Sequence, residues 1–247
     1  AIVDEWKDLN SSVNNLARAE KYANLTVNPE FLALNENSLM RMDPRTKELM
    51  VQSKTYAKGT RAKLSHMATT GTGYVAVASQ NGDIRLFDQI GKNAKTHLPG
   101  LGVPIKGIDV TEDGSFVLAT TKDFLLLVDT RVQGEAKGGF LKSMGSKKPP
   151  PLRLALKPED VVKHRINNVD FTPAHFNTGT SMEKSILTST GPFVVVWNLR
   201  QVKQGNRNAY YIRRYRDNVV ADEFEYNNDG KIIVTLPNDV TLNAMQR

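Results

Sequence analysis

An apolar run that closes on Asp or Asn recurs along this chain. Leu39-Met40-Arg41-Met42-Asp43, Ile84-Arg85-Leu86-Phe87-Asp88, Leu125-Leu126-Leu127-Val128-Asp129 and Val194-Val195-Val196-Trp197-Asn198 share the pattern, and Val240-Thr241-Leu242-Asn243 is a weaker fifth case. The closing residues stand 45, 41, 69 and 45 positions apart. Such a period constrains the fold strongly, because each repeat is one supersecondary unit that buries its apolar face only against its neighbours. The long interval holds Gly134–Arg153, a Gly/Lys/Pro-rich insertion of 20 residues, and falls to 49 without it.

Further strand patterns precede each closing residue. In the second repeat, Leu64–Thr70 is followed by a Gly71-Thr72-Gly73 turn. The alternating Tyr74–Ser79 comes next, then an Asn81-Gly82 hairpin signal before Ile84. The third repeat runs Ile105–Thr111, Asp113-Gly114, Phe116–Thr120 and Phe124 onward, and the last runs Ala221–Tyr226, Asp229-Gly230, Ile232–Thr235 and Asp239 onward. Equivalent strands are expected at Tyr22–Val27, Phe31–Leu34 and Ser38–Asp43 in the first repeat. In the fourth they are expected at Asn168–Thr172, Ser185–Thr188 and Phe193–Asn198. Outer fourth strands are expected at Glu48–Lys54, Ala94–Leu98 and Tyr210–Tyr215. Pro158-Glu159-Asp160 reads as a short helix start.

The period is that of WD40 blades, so the chain reads as one all-β domain over residues 1–247, a WD40-like β-propeller of about five four-stranded blades. The insertion is expected in the connection between the third and fourth blades. Ile2–Lys7 reads as an orphan outer strand that would complete the three-stranded last blade. Five blades closed in this way and an arc of a larger, seven-bladed ring fit equally. The opening Ala1-Ile2-Val3 lacks Met and begins inside a strand pattern, so an N-terminal part of a longer protein is expected to precede it.

Composition removes several chemistries. With no Cys among 247 residues, disulfides, Cys-ligated zinc, iron–sulfur clusters and thiol catalysis are excluded. No apolar run reaches the roughly 18 residues of a membrane helix, and Ala1-Ile2-Val3-Asp4-Glu5-Trp6 is not expected to be a signal peptide. It reads as soluble and intracellular, in the cytoplasm or the nucleus. A net charge of +7 permits acidic partners without requiring them. The four His (His66, His97, His164 and His175) show no metal-ligand spacing. Gly71-Thr72-Gly73 and Gly100-Leu101-Gly102 lack the continuation of a phosphate loop, and no Gly-x-Ser-x-Gly elbow occurs. No cofactor, metal or catalytic residue is therefore assigned. Asp43, Asp88 and Asp129 recur at matching positions, which points to a structural task at strand ends.

Several blocks are distinctive: Ile84–Asp88 with Gly91-Lys92-Asn93-Ala94-Lys95-Thr96, Leu98-Pro99-Gly100-Leu101-Gly102, Ile108-Asp109-Val110-Thr111, Thr190-Gly191-Pro192 through Asn198, Met42-Asp43-Pro44-Arg45 and Asn238-Asp239-Val240. Together they resemble the C-terminal WD40-like region of the vacuolar import and degradation protein 27 family, over about Asp4 to Val240. Plant "defective embryo and meristems" proteins are similar. The resemblance implies a cytoplasmic eukaryotic propeller, preceded by other regions and belonging to a ring of more than five blades. It implies no chemistry.

The leading functional reading is a non-catalytic scaffold that binds protein partners through propeller loops. Blade registry puts Asn81, Lys122, Asp123, Asn238 and Asp239 on one rim, joined by Arg61, Arg165 and Asp217. Within the insertion, Phe140 and Leu141 are candidate docking anchors flanked by Lys147 and Lys148. A second reading is nucleic-acid association through the Tyr210–Arg216 strand, which interleaves aromatics with cations, and through the Lys/Pro insertion. An enzyme with a site at the channel mouth is the third reading.

Overall fold

The computed structural model describes residues 12–57, 62–132, 138–146, 148–178, 182–225 and 230–245. Its strands form five antiparallel sheets, each ordered as the chain runs. The chain divides into two compact units: Ala1–Ile105 with Glu112–Ser115 and Thr130–Lys148, and Lys106–Thr111 with Phe116–Asp129 and Pro149–Arg247.

The first unit holds two four-stranded sheets: β1 (Asn15–Arg18), β2 (Phe31–Leu34), β3 (Ser38–Met42) and β4 (Met50–Thr55), then β5 (Leu64–Thr69), β6 (Val75–Ser79), β7 (Ile84–Phe87) and β8 (Thr96–Leu98). The second unit holds three more. One is β9 (Gly107–Val110), β10 (Phe116–Thr120), β11 (Leu125–Asp129) and β12 (Leu152–Leu154), and the next is β13 (His175–Phe176), β14 (Ser185–Thr190), β15 (Phe193–Asn198) and β16 (Tyr210–Arg214). The last has three strands, β17 (Ala221–Phe224), β18 (Lys231–Leu236) and β19 (Asp239–Ala244). Two short helices, α1 (Pro158–His164) and α2 (Leu199–Lys203), fill connections in the second unit.

Central strands such as Val75-Ala76-Val77-Ala78-Ser79 and Phe116-Val117-Leu118-Ala119-Thr120 are buried at every position. A strand covered on both faces needs no polar side, which is why these runs are continuously apolar or small. β4 and β19 instead alternate with exposed positions. In the second unit Trp197 anchors the larger core, its ring edge-on to Phe171 and beside Tyr210, with its indole N–H donating to the Arg207 carbonyl at 3.2 Å.

The strand-closing residues do structural work. Asp43 accepts the Arg45 backbone N–H and its guanidinium, which holds its carboxyl below the usual range. Asp88 pairs with Lys95, and Asn198 caps α2 by accepting the Gln201 N–H at 3.1 Å.

Three expectations are corrected. Tyr22–Val27 is a turn, since the Asn24 side-chain oxygen accepts both the Thr26 N–H and hydroxyl and curls the chain, and the first strand is β1. Asn168–Thr172 is irregular. The Thr172 N–H reaches the Ser189 carbonyl at 2.8 Å, but the Asp170 N–H is spent on the Thr190 hydroxyl and Pro173 has no N–H, so the regular ladder with β14 starts at His175. The span 134–153 ends inside β12, which pairs with β11, so the insertion lies between two strands of one sheet. The Ile2–Lys7 expectation lies outside the described residues.

Candidate functional site

In the second unit, hairpin turns and incoming connections are tied together along one side. Thr121 closes the β10–β11 turn by donating its hydroxyl to the Phe124 carbonyl at 2.7 Å, which leaves Lys122 and Asp123 exposed. The Lys122 carbonyl accepts the Phe171 N–H at 2.8 Å, and the Asp170 N–H reaches the Thr190 hydroxyl at 2.9 Å. Across the β14–β15 turn, the Gly191 carbonyl accepts the Val219 N–H and the Pro192 carbonyl accepts that of Tyr215. The Val220 N–H donates to Thr235, three residues before Asn238 in the β18–β19 turn. These bonds bring Lys122, Asp123, Asp217, Asn238 and Asp239 onto linked loops, all five exposed.

Arg165 joins them through α1. This helix has no buried residue and ends on Arg165, whose φ of 55° is the left-handed region that a non-glycine residue rarely occupies. Side chains hold it at both ends. The Tyr210 hydroxyl accepts the Lys157 N–H at 2.8 Å and donates to Asp160 at 2.6 Å, and burial together with that carboxylate pushes the phenol up to about 12. At the other end the His164 ring stands edge-on to Phe193, 6.0 Å between centroids. The Arg214 guanidinium lies over the same Phe193 ring at 5.8 Å. Sequence reasoning found α1 but missed Val162 and Lys163 as surface residues, because seven residues with no buried side carry no amphipathic signal.

The charges on these loops divide into two groups. Lys106 pairs with Asp170, and Arg153 stands 3.9 Å from Asp123. Among the described residues, Lys122, Lys163, Arg165, Arg216, Asp217 and Asp239 make no ion pair.

Other candidates are placed elsewhere. Asn81 sits half-buried at the β6–β7 turn of the first unit, and Arg61 and Lys147 lie outside the described residues. Phe140 is corrected as a docking anchor: it is only 3% exposed and stacks on Tyr74, while the Thr96 hydroxyl donates to the Gly139 carbonyl at 2.7 Å. Leu141 and Lys148 remain exposed. On β16 the aromatics are already engaged. Tyr210 packs into the Trp197 core, and Tyr211 and Tyr215 pack against the cluster around Phe224 and Val234. All three rings are half-buried against those cores, which limits the faces they offer to a base.

The four histidines are scattered. Burial pushes His66 down, His97 is 3.5 Å from Asp83, His164 meets Phe193, and His175 Nε2 lies 3.0 Å from the Asp222 carbonyl. Among the described residues no group of three His, Cys, Asp or Glu side chains is placed to hold a metal ion. A cavity of about 290 Å³ beside β15 and β16 is lined by Trp197, Asn198, Gln201, Tyr211 and Met245 among others, and among the described residues no carboxylate, imidazole or ammonium stands in its wall. Among the described residues no helix is long and apolar enough to cross a membrane.

Comparison with known proteins places this geometry. Solved structures share the fold at low identity. A chain of the crystal structure of the Mitotic Checkpoint Complex matches with a TM-score of 0.66 and 11% identity, over 97% of this chain and 63% of that one. The Cps50 (Swd1) β-propeller domain of Myceliophteria thermophila matches at 0.62 and 12%, over 97% and 69%. The fold is thus a WD40-like β-propeller. Vacuolar import and degradation protein 27 of Schizosaccharomyces pombe is 45% identical over 98% of this chain, and that of Saccharomyces cerevisiae is 35% identical over 99%. The chain spans 31% and 33% of those two proteins, about a third of their length. Residues 1–247 match the family described as the VID27 C-terminal WD40-like domain, and the chain belongs to that family.

Proposed function

We propose that this domain is a non-catalytic scaffold that binds other proteins through the linked loops carrying Lys122, Asp123, Arg165, Asp217, Asn238 and Asp239. In this reading it serves, in the cytoplasm, the vacuolar import and degradation process for which its relatives are named. One observation carries the reading. The loops are cross-tied by main-chain hydrogen bonds, yet Lys122, Arg165 and Asp239 make no ion pair among the described residues. Exposed charges outside any ion pair of the described residues, held on hydrogen-bonded loops, are positioned for an external partner. The dispersed titratable groups favour binding over catalysis, which needs acids, bases or nucleophiles that converge.

The test is a pull-down from native cells with wild type and the K122A/R165A/D239A triple variant. Loss of partners from the triple variant supports the reading. Full retention of every partner overturns the assignment of this rim.

A further inference from the structure

Phe193 organises a surface that goes beyond general scaffolding. Its ring is buried, with His164 from α1 edge-on to it and the Arg214 guanidinium over it. The adjoining Gly191-Pro192 turn is bonded to Val219 and Tyr215, so α1 and the 214–220 segment both border this one turn. An exposed valine stands on each element, Val162 at 77% and Val220 at 62%. The cations stand beside them: Lys163 and Arg165 on α1, and Arg214 and Arg216 on the other segment. Of the acids nearby, Asp160 is held by Tyr210 and Asp170 by Lys106, while Asp217 and Glu159 make no ion pair among the described residues.

We infer that this surface docks an acidic protein segment with an apolar side chain, the carboxylates meeting Lys163, Arg165, Arg214 and Arg216 and the apolar group settling by Val162. The inference rests on the scaffold reading and names the chemistry of the partner. Charge complementarity selects an anionic occupant, and two features select peptide over nucleic acid. The exposed apolar groups are aliphatic and the rings of His164 and Phe193 are turned to one another, so no platform for base stacking is offered. Asp217 also interrupts the cations, which a peptide can accommodate in its sequence and a continuous phosphate chain cannot.

Fluorescence anisotropy on the intact domain tests this, using a labelled peptide of alternating Glu and Ser with one central Leu. Comparators are the Lys-for-Glu peptide, the Gly-for-Leu peptide and a labelled oligouridine. The Glu/Ser/Leu peptide is expected to bind and the Lys peptide not to bind. Binding should weaken roughly tenfold in R214E and in K163E/R165E, several-fold for the Gly peptide, and progressively as salt is raised. Because charge reversal at the end of α1 can fray that helix, K163E/R165E is also titrated with the Lys peptide. Gain of that binding shows an intact surface with inverted preference.

Acidic-peptide binding that is absent, or unchanged in R214E and K163E/R165E, overturns the inference. So does oligouridine binding more tightly and losing affinity in the same variants. If the K122A/R165A/D239A variant loses protein partners while the acidic peptide fails to bind, the rim stands and only the partner class falls. If that variant keeps every partner, the rim itself falls.

Discussion

At Asp222 a carboxyl group is buried on the first strand of the last sheet, one oxygen accepting the Thr172 hydroxyl at 3.1 Å and the other 3.7 Å from His175 Nε2. Burial pushes its pKa above the ordinary 3.8, and His175, Ser189 and Thr172 offset only part of that shift. A carboxyl raised in the folded state binds its proton more tightly there than in the unfolded chain. Its contribution is therefore fully present below the unfolded value and is lost as pH rises through the folded one. D222N removes this dependence, so the melting temperature of wild type relative to D222N should fall as pH rises from about 4 and then level off. Parallel melting curves across that range would refute the assignment. Gly100 illustrates packing at the same scale. Its N–H donates to the Asp83 carboxylate at 2.8 Å, and a Cβ there would meet the Asn81 and Gly82 backbone and stand 2.7 Å from Asp83 N. G100A is expected to cost about 1–3 kcal/mol in urea unfolding. Here the Leu98–Gly102 block noticed in the sequence acquires its physical reason.

At the scale of elements, α1 depends on side chains from elsewhere in its unit. A seven-residue helix with no buried face is not stable alone, and the Tyr210 hydroxyl bonds it at Lys157 and Asp160. Y210F leaves the ring packed and removes both bonds. It should cost about 1–2 kcal/mol and speed hydrogen exchange at the Val161, Arg165 and Ile166 amides, while β14 and β15 stay protected. Unchanged exchange at those amides would mean that the helix is held otherwise. The elements also separate what was legible from what was not. β10 and β15 announced themselves as nearly continuous apolar runs, as strands covered on both faces must be, and β6 by its alternation before the Asn81-Gly82 turn. β1, with Asn15 and Arg18 in four residues, has no such pattern, and β13 was displaced because the Asp170 N–H goes to the Thr190 side chain and Pro173 has no N–H to continue the ladder. Phe140 read as an exposed anchor because the Gly/Lys/Pro composition around it describes a loop without saying what its one large ring packs on.

For the molecule as a whole, function and stability are expected to separate. Lys122, Arg165 and Asp239 are exposed and outside every ion pair of the described residues, and such substitutions usually stay within about 0.5 kcal/mol each. The triple alanine variant should thus keep wild-type far-ultraviolet dichroism and melt within a few degrees of wild type. A larger drop would mark those residues as structural and remove their claim to the rim. The repeat period, the apolar runs and the turn residues by themselves determined an all-β chain of about five successive antiparallel sheets, because burial periodicity and turn chemistry are local properties. Which charges stay unpaired and which aromatics face inward was decided only by the tertiary structure. So was the meeting of α1 with the 214–220 segment at Phe193. Those outcomes depend on residues such as His164, Phe193 and Arg214 finding one another across tens of positions, and no local pattern encodes that distance.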